Sequence, residues 1–439
     1  MIAETASDAA RQIARALRDH GHLAFFVGGC VRDLLLHRDP KDYDIATGAT
    51  PDQVLRLFPQ AHHVGAKFGV VLVPAETGFV EIATFRSDSA YHDGRHPSQV
   101  AFETDPRRDV LRRDFTINGL LMDPFSGDIV DYTGGRADLE RGIVRAIGDP
   151  ETRFAEDHLR MLRAIRFAAR LGFTIDPATF AAIVKLHGEI ARISAERVRD
   201  ELTRILIEGG ARRGFEMLDA SGLLLALLPE ISALKGVQQP PEFHPEGDVW
   251  THTLMLLEDL RSPTVTLALG ALLHDVGKPA SFRFDGRRIR FNGHAELGAR
   301  MAVDILTRLR FPQDQIRQVE ALVATHMRFR DVPEMRESTL KRFFRLDRFT
   351  EHLELHRLDC SNAKGDLRAH DLARARFESL PPEQLAPPRL LTGDDLLAAG
   401  FQPGAHFKAL LDAAEDAQLE GRIHSRDQAL ALIRTLYRP

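Results

Sequence analysis

From Arg153 onward the apolar side chains of this 439-residue chain recur at three- and four-residue spacing, as in Leu159, Leu162, Ile165, Phe167 and Leu171. That period buries one stripe of a helix, so this part of the chain has to fold by packing helices together. Residues 1–147 are different: short strand-like runs alternate with helical segments, and Gly127, Gly134-Gly135 and Gly148-Asp149-Pro150 close the region. A Pro-rich break over 238–245 introduces a His-rich helical section, and a second break, from Pro381-Pro382 to Pro387-Pro388, precedes a small helical tail. The pattern predicts a multidomain α+β chain with a head over 1–147, a helical neck over 148–238, a helical body over 239–380 and a helical tail over 381–439.

In the head, a strand-like run over 23–27 ends in Gly28-Gly29 and is followed by Val31-Arg32-Asp33 and Lys41-Asp42-Tyr43-Asp44-Ile45. A glycine pair lets backbone N–H groups approach a phosphate, and a helix over about residues 30–37 points its positive end at the anion. Asp42 and Asp44 lie two apart in a run that reads as a strand, so both carboxylates project from one face, as an oxygen-ligated Mg²⁺ requires. Glu81, with Val80 and Ile82 turned the other way, can complete a carboxylate trio. A phosphate grip beside a divalent-cation grip is what nucleotidyl transfer needs: the attacking hydroxyl is activated, the α-phosphate neutralised and pyrophosphate stabilised as it leaves.

The order GG-x-VRD-LL, then D-x-D-I, closely resembles the head signature of the polymerase-β-like nucleotidyltransferases. The likeness continues through residues 80–86, Asp93-Gly94-Arg95-His96-Pro97, residues 112–118, Glu156-Asp157 with Arg160, and Arg192-Ile193 with Glu196-Arg197. Most of the chain is similar to the class II CCA tRNA nucleotidyltransferase and poly(A) polymerase family. The resemblance implies a polymerase-β-like head and Mg²⁺-dependent addition of CMP and AMP, from CTP and ATP, to a tRNA 3′ end. A poly(A) polymerase is the alternative within the family; Gly148-Asp149-Pro150 leading into residues 154–160 looks more like the tRNA branch. By the same resemblance Gly29 and Arg32, next to Gly28, meet the incoming triphosphate. Arg113 contacts nucleotide phosphate, Asp114 reads the ribose hydroxyl, and Arg163 and Arg166 continue toward the triphosphate. The tail, with Leu391-Thr392-Gly393-Asp394-Asp395, resembles the family's tRNA-binding C-terminal arm.

Asp157 and Arg160 are three apart and on a helix share a face. A carboxylate only accepts hydrogen bonds and a guanidinium only donates them. Cytosine and adenine both offer an amino donor beside a ring-nitrogen acceptor, whereas uracil and guanine present a carbonyl beside an N–H. Spacing alone reads this pair as an i,i+3 salt bridge, but residues 156–163 resemble the family's base-reading motif, and that resemblance implies a pair that accepts C and A and rejects U and G without a template.

Further on, His252, His274-Asp275, His294, His326 and Asp359 recur through the helical body. Adjacent His274-Asp275, bracketed by His252 and Asp359, looks like the HD superfamily of metal-dependent phosphohydrolases, with His294 and His326 available to a second metal. Imidazole with carboxylate suits a transition metal (Mn, Fe, Ni, Co or Zn) better than an all-oxygen site does. Hydrolysis of a phosphate ester at this centre is the alternative reading from another class. A net charge of −5 argues against coating nucleic acid by bulk electrostatics, although Arg153, Arg160, Arg163, Arg166 and Arg170 recur at helical spacing and make a local basic segment. Only Cys30 and Cys360 are present, which suggests a reducing, cytoplasmic setting, and no apolar run of about 18 residues calls for a membrane. The oligomeric state is left open.

Overall fold

The computed structural model describes residues 5–63, 69–76, 78–88, 100–242, 244–363 and 365–436, so Asp93-Gly94-Arg95-His96-Pro97 lies outside the described residues. The chain divides into two units, Met1–Pro229 and Glu230–Pro439.

The head strands are β1 Ala24–Val27, β2 Asp44–Thr47, β3 His62–His63, β4 Val70–Ala75, β5 Gly78–Thr84, β6 Arg86–Asp88, β7 Val100–Phe102, β8 Leu121–Met122 and β9 Ile129–Val130. Seven of them form one mixed sheet in the order β3-β4-β5-β2-β1-β8-β9. β1 is antiparallel to β2 and β8, while β2 runs parallel to β5 with Ile45 opposite Ile82. Both isoleucines are buried, so the residues just before them, Asp44 and Glu81, share the other face. The register thereby brings together carboxylates separated widely in sequence.

Two local expectations change. Gly28 adopts φ 70°, ψ −126°, a backbone open only to glycine, and the helix after it spans Gly29–Leu35, ending before left-handed His37. Asp42 precedes β2 and only Asp44 belongs to it. Phe115 and Ile117 are both buried, placed by a 3₁₀ turn at Thr116–Asn118 and an isolated bridge from Phe115 to Ala146.

In the neck, Asp149 caps the helix Pro150–Glu156, accepting from Thr152 N, with Pro150 in the first turn where its missing N–H costs nothing. The chain is extended at Asp157 and resumes as the helix Leu159–Leu171, stopped by left-handed Gly172. Asp157 is therefore outside both helices, and it does not share a helical face with Arg160. A two-residue parallel pairing of Ile143–Val144 with Thr174–Ile175 interrupts the helical pattern.

The second unit contains the helices Val249–Glu258, Val265–Leu273, His294–Arg308, Gln313–Thr325 and Phe349–Ser361. Val265–Leu273 is apolar around most of its circumference because it is buried from Thr266 through Leu273. An antiparallel hairpin, Arg283–Phe284 with Ile289–Arg290, departs from the all-helical expectation. The tail helices Gly393–Ala398, His406–Leu419 and Arg426–Leu436 close their own core around Leu396, Phe401, Leu410 and Ile433. Glu415 ties the tail to the preceding helices: Arg345 Nη1 donates to it at 2.6 Å and Arg342 Nη2 at 3.2 Å.

Candidate active site

Asp44 starts β2 at the side of the sheet where Glu81 sits mid-strand on β5 and Asp42 precedes on the incoming loop. Burial raises the Asp44 carboxyl to about 6, with Glu81 and Asp42 adding repulsion and Arg113 opposing both. Glu81 is raised too, by desolvation, again opposed by Arg113. Three hard-oxygen groups that repel one another, with no other donor type, form a set that a small divalent cation would relieve.

Beside them is a cavity of about 500 Å³ lined by Gly28, Gly29, Arg32, Asp44, Arg113 and Asp114 from the head and by Asp157, Arg160, Arg163 and Arg166 from the neck. All of the residues singled out for nucleotide binding therefore come together. Their partners are partly local and partly long-range. Arg113 is held by Asp109, which accepts from its Nε at 3.1 Å and from its Nη2 at 2.9 Å. Arg32 is buried, donating to Asp33 and to Asn118 at 2.8 Å. Arg166 donates to buried Glu201 at 2.7 Å. The aromatic ring of Phe167 lies under three guanidiniums, those of Arg32, Arg163 and Arg166, at 5.2, 5.5 and 4.3 Å. The arginine run is thus no solvated stripe of i,i+4 pairs: Arg160 alone has such a partner here, donating to Glu156 at 2.6 Å.

Asp157 accepts from Leu159 N at 3.1 Å and from Arg197 Nη2 at 2.7 Å. Arg160 also donates to the carbonyls of Arg153 and Arg112. Each member of the suspected base-reading pair is consequently fixed by its own partners, and the two do not form an ion pair with each other. Asn118 and Glu201 were not legible as site residues, since each acts by gripping an arginine from another segment, whereas Asp109 and Glu156 grip arginines within four residues of themselves.

Asp114 is buried and accepts from Arg163 at 2.6 and 2.9 Å, from Phe115 N at 2.8 Å and from Asn118 at 3.1 Å. Burial alone would raise its carboxyl, but Arg163 and these donors hold it down to about 2. Arg163→Ala is expected to destabilise the protein by about 2–3 kcal/mol in urea unfolding, less than a fully orphaned charge costs, because Phe115 N and Asn118 still donate. A depressed carboxyl contributes stability above its unfolded pKa, so the gap between the two proteins should close as pH falls from about 4 toward about 2.

In the second unit the six residues suspected of holding metal converge. His252 Nε2 lies 2.9 Å from Asp359, His274 Nε2 3.1 Å from Asp275, and His294 3.6 Å from the other Asp275 oxygen, with His294 and His326 facing each other at 3.3 Å. Two overlapping triads, His252-His274-Asp275 and Asp275-His294-His326, have ligand atoms close enough to hold an ion. His274 Nε2 is buried without a hydrogen-bond partner among the described residues. Two further groups join the cluster. Glu246 Oε1 sits 2.8 Å from His252 Nδ1, and Lys278 Nζ sits 2.6 Å from Asp275. Burial disfavours the His252 imidazolium, but Asp359 and Glu246 push it up to about 9; burial and His274 push His326 down to about 4.

Comparison with known proteins adds a family context. Residues 24–145 match the poly A polymerase head domain, 172–235 the probable RNA and SrmB- binding site of polymerase A, and 248–352 the HD domain. A curated CCA-adding enzyme of Lactobacillus johnsonii is 39% identical over 258 residues, 57% of this chain and 64% of that protein. One from Bacillus subtilis is 43% identical over 206 residues, 47% and 52% of the two chains. The matches thus span about half to just under two thirds of these curated relatives. The crystal structure of the Bacillus stearothermophilus CCA-adding enzyme in complex with CTP superposes with a TM-score of 0.76 at 29% identity, covering 98% of this chain and 97% of that one.

Proposed function

We propose, from the premise that this chain belongs to the family of CCA-adding enzymes and poly(A) polymerases and carries an HD domain, that it adds CMP and AMP from CTP and ATP to the 3′ end of tRNA. The observation that carries the proposal is the meeting of Asp42, Asp44 and Glu81 with the arginine-lined cavity in which Asp157 and Arg160 also sit. The poly(A) polymerase alternative is not favoured, since the curated relatives above are CCA-adding enzymes.

In this reading Asp42, Asp44 and Glu81 would hold Mg²⁺, which would supply positive charge at the α-phosphate and acidify the primer hydroxyl. Gly28 and Gly29 leave room for phosphate oxygens against the backbone, and Arg32, Arg113, Arg163 and Arg166 neutralise the triphosphate. The Asp114 carboxylate faces the ribose. Asp157 accepts from the exocyclic amine of cytosine or adenine, and Arg160 donates to the ring nitrogen. The division into head (1–147), neck (148–238), body (239–380) and tail (381–439) follows these roles, with the tail gripping tRNA. At the HD cluster, His252, His274, Asp275 and Asp359, with His294 and His326, suit a transition metal such as Mn, Fe, Ni, Co or Zn. A cytoplasmic location accords with two distant cysteines, and no helix among the described residues is long and apolar enough to cross a membrane.

Incubation of the protein with tRNA lacking its terminal nucleotides and with each labelled NTP separately tests the proposal. CMP on tRNA lacking all three added nucleotides, and AMP on tRNA ending in the second C, are the expected products. A long ATP-only ladder on generic RNA, with no CMP incorporated, would replace this reading with the poly(A) polymerase one.

A further inference from the structure

The hairpin Arg283–Phe284 with Ile289–Arg290 is not used by any role assigned above. Over residues 283–290 it carries Arg283, Arg287, Arg288 and Arg290 against the single acid Asp285, in a chain whose net charge is −5. Asp285 builds the turn with one oxygen, accepting from Arg287 N at 3.0 Å and Arg288 N at 2.8 Å, and its other oxygen lies 3.4 Å from Arg290 Nη2. The antiparallel register puts Arg283 directly opposite Arg290. Like charges in that position weaken a two-stranded hairpin; Asp285 offsets the cost in part, and an anion between the two arginines would lower it further. Next to this pair, Phe284 is 61% exposed and adds nothing to a core. Beyond Arg290 the chain enters the HD cluster: Arg290 and Phe291 line a cavity of about 640 Å³ that also contains Asp275, His294 and His326. Lys278 Nζ stands 5.4 Å over the Phe291 ring, and Phe282 meets that ring edge-on at 5.9 Å, anchoring the base of the hairpin to the cavity wall.

We propose that this hairpin is a docking element for single-stranded RNA, with its arginines on consecutive phosphates and Phe284 stacked on a base, leading the strand to the mouth of the His/Asp cavity. An exposed aromatic among arginines is what a flexible polyanion with stackable bases calls for; a bare anion would use only the charges, and a duplex would not expose a base to Phe284. The inference rests on the nucleotidyl-transfer reading only for the choice of RNA over DNA.

The test uses the full-length protein and a fluorescein-labelled single-stranded RNA oligonucleotide, with affinity measured by anisotropy across a salt series. Phe284→Ala should weaken binding about 5- to 150-fold, and Phe284→Trp should restore it. Arg287→Ala/Arg288→Ala should lower the slope of log affinity against log salt by about 1.4, the loss of two single-strand phosphate contacts, and Arg287→Lys/Arg288→Lys should recover it. The same oligonucleotide carrying 4-thiouridine should crosslink within residues 282–291. Unchanged affinity and salt slope in these variants, crosslinks confined to other segments, or a loss seen equally with heparin while Phe284→Ala has no effect, would each overturn the proposal. Addition of CMP to truncated tRNA by the unmodified protein is scored separately, so failure of the nucleotidyl-transfer reading and failure of the hairpin inference are different results.

Discussion

Asp44→Ala is expected to reduce nucleotide addition by more than about 100-fold in Mg²⁺ while the thermal midpoint stays the same or rises. Losing a residue that only supports a ligand already costs about 10- to 100-fold at metal sites, so removal of a ligand itself should cost more. The stability expectation has a separate cause. Asp44 sits near Asp42 of the incoming loop and Glu81, and Asp44 and Glu81 share the sheet face opposite buried Ile45 and Ile82. Truncating it removes repulsion and leaves the packing untouched. Single-turnover addition of labelled CMP to truncated tRNA, together with a melting curve, checks both halves. Addition by Asp44→Ala at close to the normal rate would end the assignment of this trio to catalysis, whereas loss of activity with a collapsed melting curve would point to folding instead.

Asp157→Ala is expected to raise UTP use relative to CTP by about 5- to 150-fold, the equivalent of about 1–3 kcal/mol for a carbonyl that no longer faces a carboxylate. The structure supplies a sharper variant. Asp157 also accepts from Leu159 N and Arg197, so alanine removes a helix cap and frees a guanidinium along with the base contact. Asp157→Asn keeps the shape and an acceptor oxygen but offers an amide donor that uracil's carbonyl can use. It should therefore gain UTP incorporation beyond the alanine variant. Arg160→Ala should depress CTP and ATP use together, because both bases present their ring acceptor to it. Competition between CTP and UTP on truncated tRNA gives the ratio directly; no change in that ratio for either Asp157 variant would remove the pair from base selection.

The sequence carried the head's chemistry well for a physical reason. Gly28 needs a backbone only glycine adopts, Asp44 and Glu81 alternate with buried isoleucines, and each of these constraints acts within a few residues. Spacing could not show that Asp157 lies between two helices. A residue three before Arg160 reads as helical until the extended break after Glu156 is seen. Likewise, the Glu201 that binds Arg166 and the Glu246 that binds His252 look like ordinary surface acids in one dimension. Their identity depends on which segments become neighbours. The HD residues were found because His274-Asp275 are adjacent, whereas Lys278, one turn further on, could equally have pointed to solvent. The hairpin was missed because each of its strands is only two residues long, too short to establish a period.

The ring of Phe167 touches three guanidiniums before any nucleotide arrives, and each of those arginines already has a carboxylate or amide on its far side. The electrostatic work of collecting like charges is therefore completed during folding, and the cavity is preorganised. Under the proposed function, an incoming triphosphate meets a fixed template and few arginines have to be recruited from solvent. This makes Phe167→Leu, an apparently mild change deep in a helix, a change to the active site: its consequence would appear as weaker nucleotide binding at nearly constant chemistry, because the template would loosen while the carboxylates that direct the reaction stayed in place.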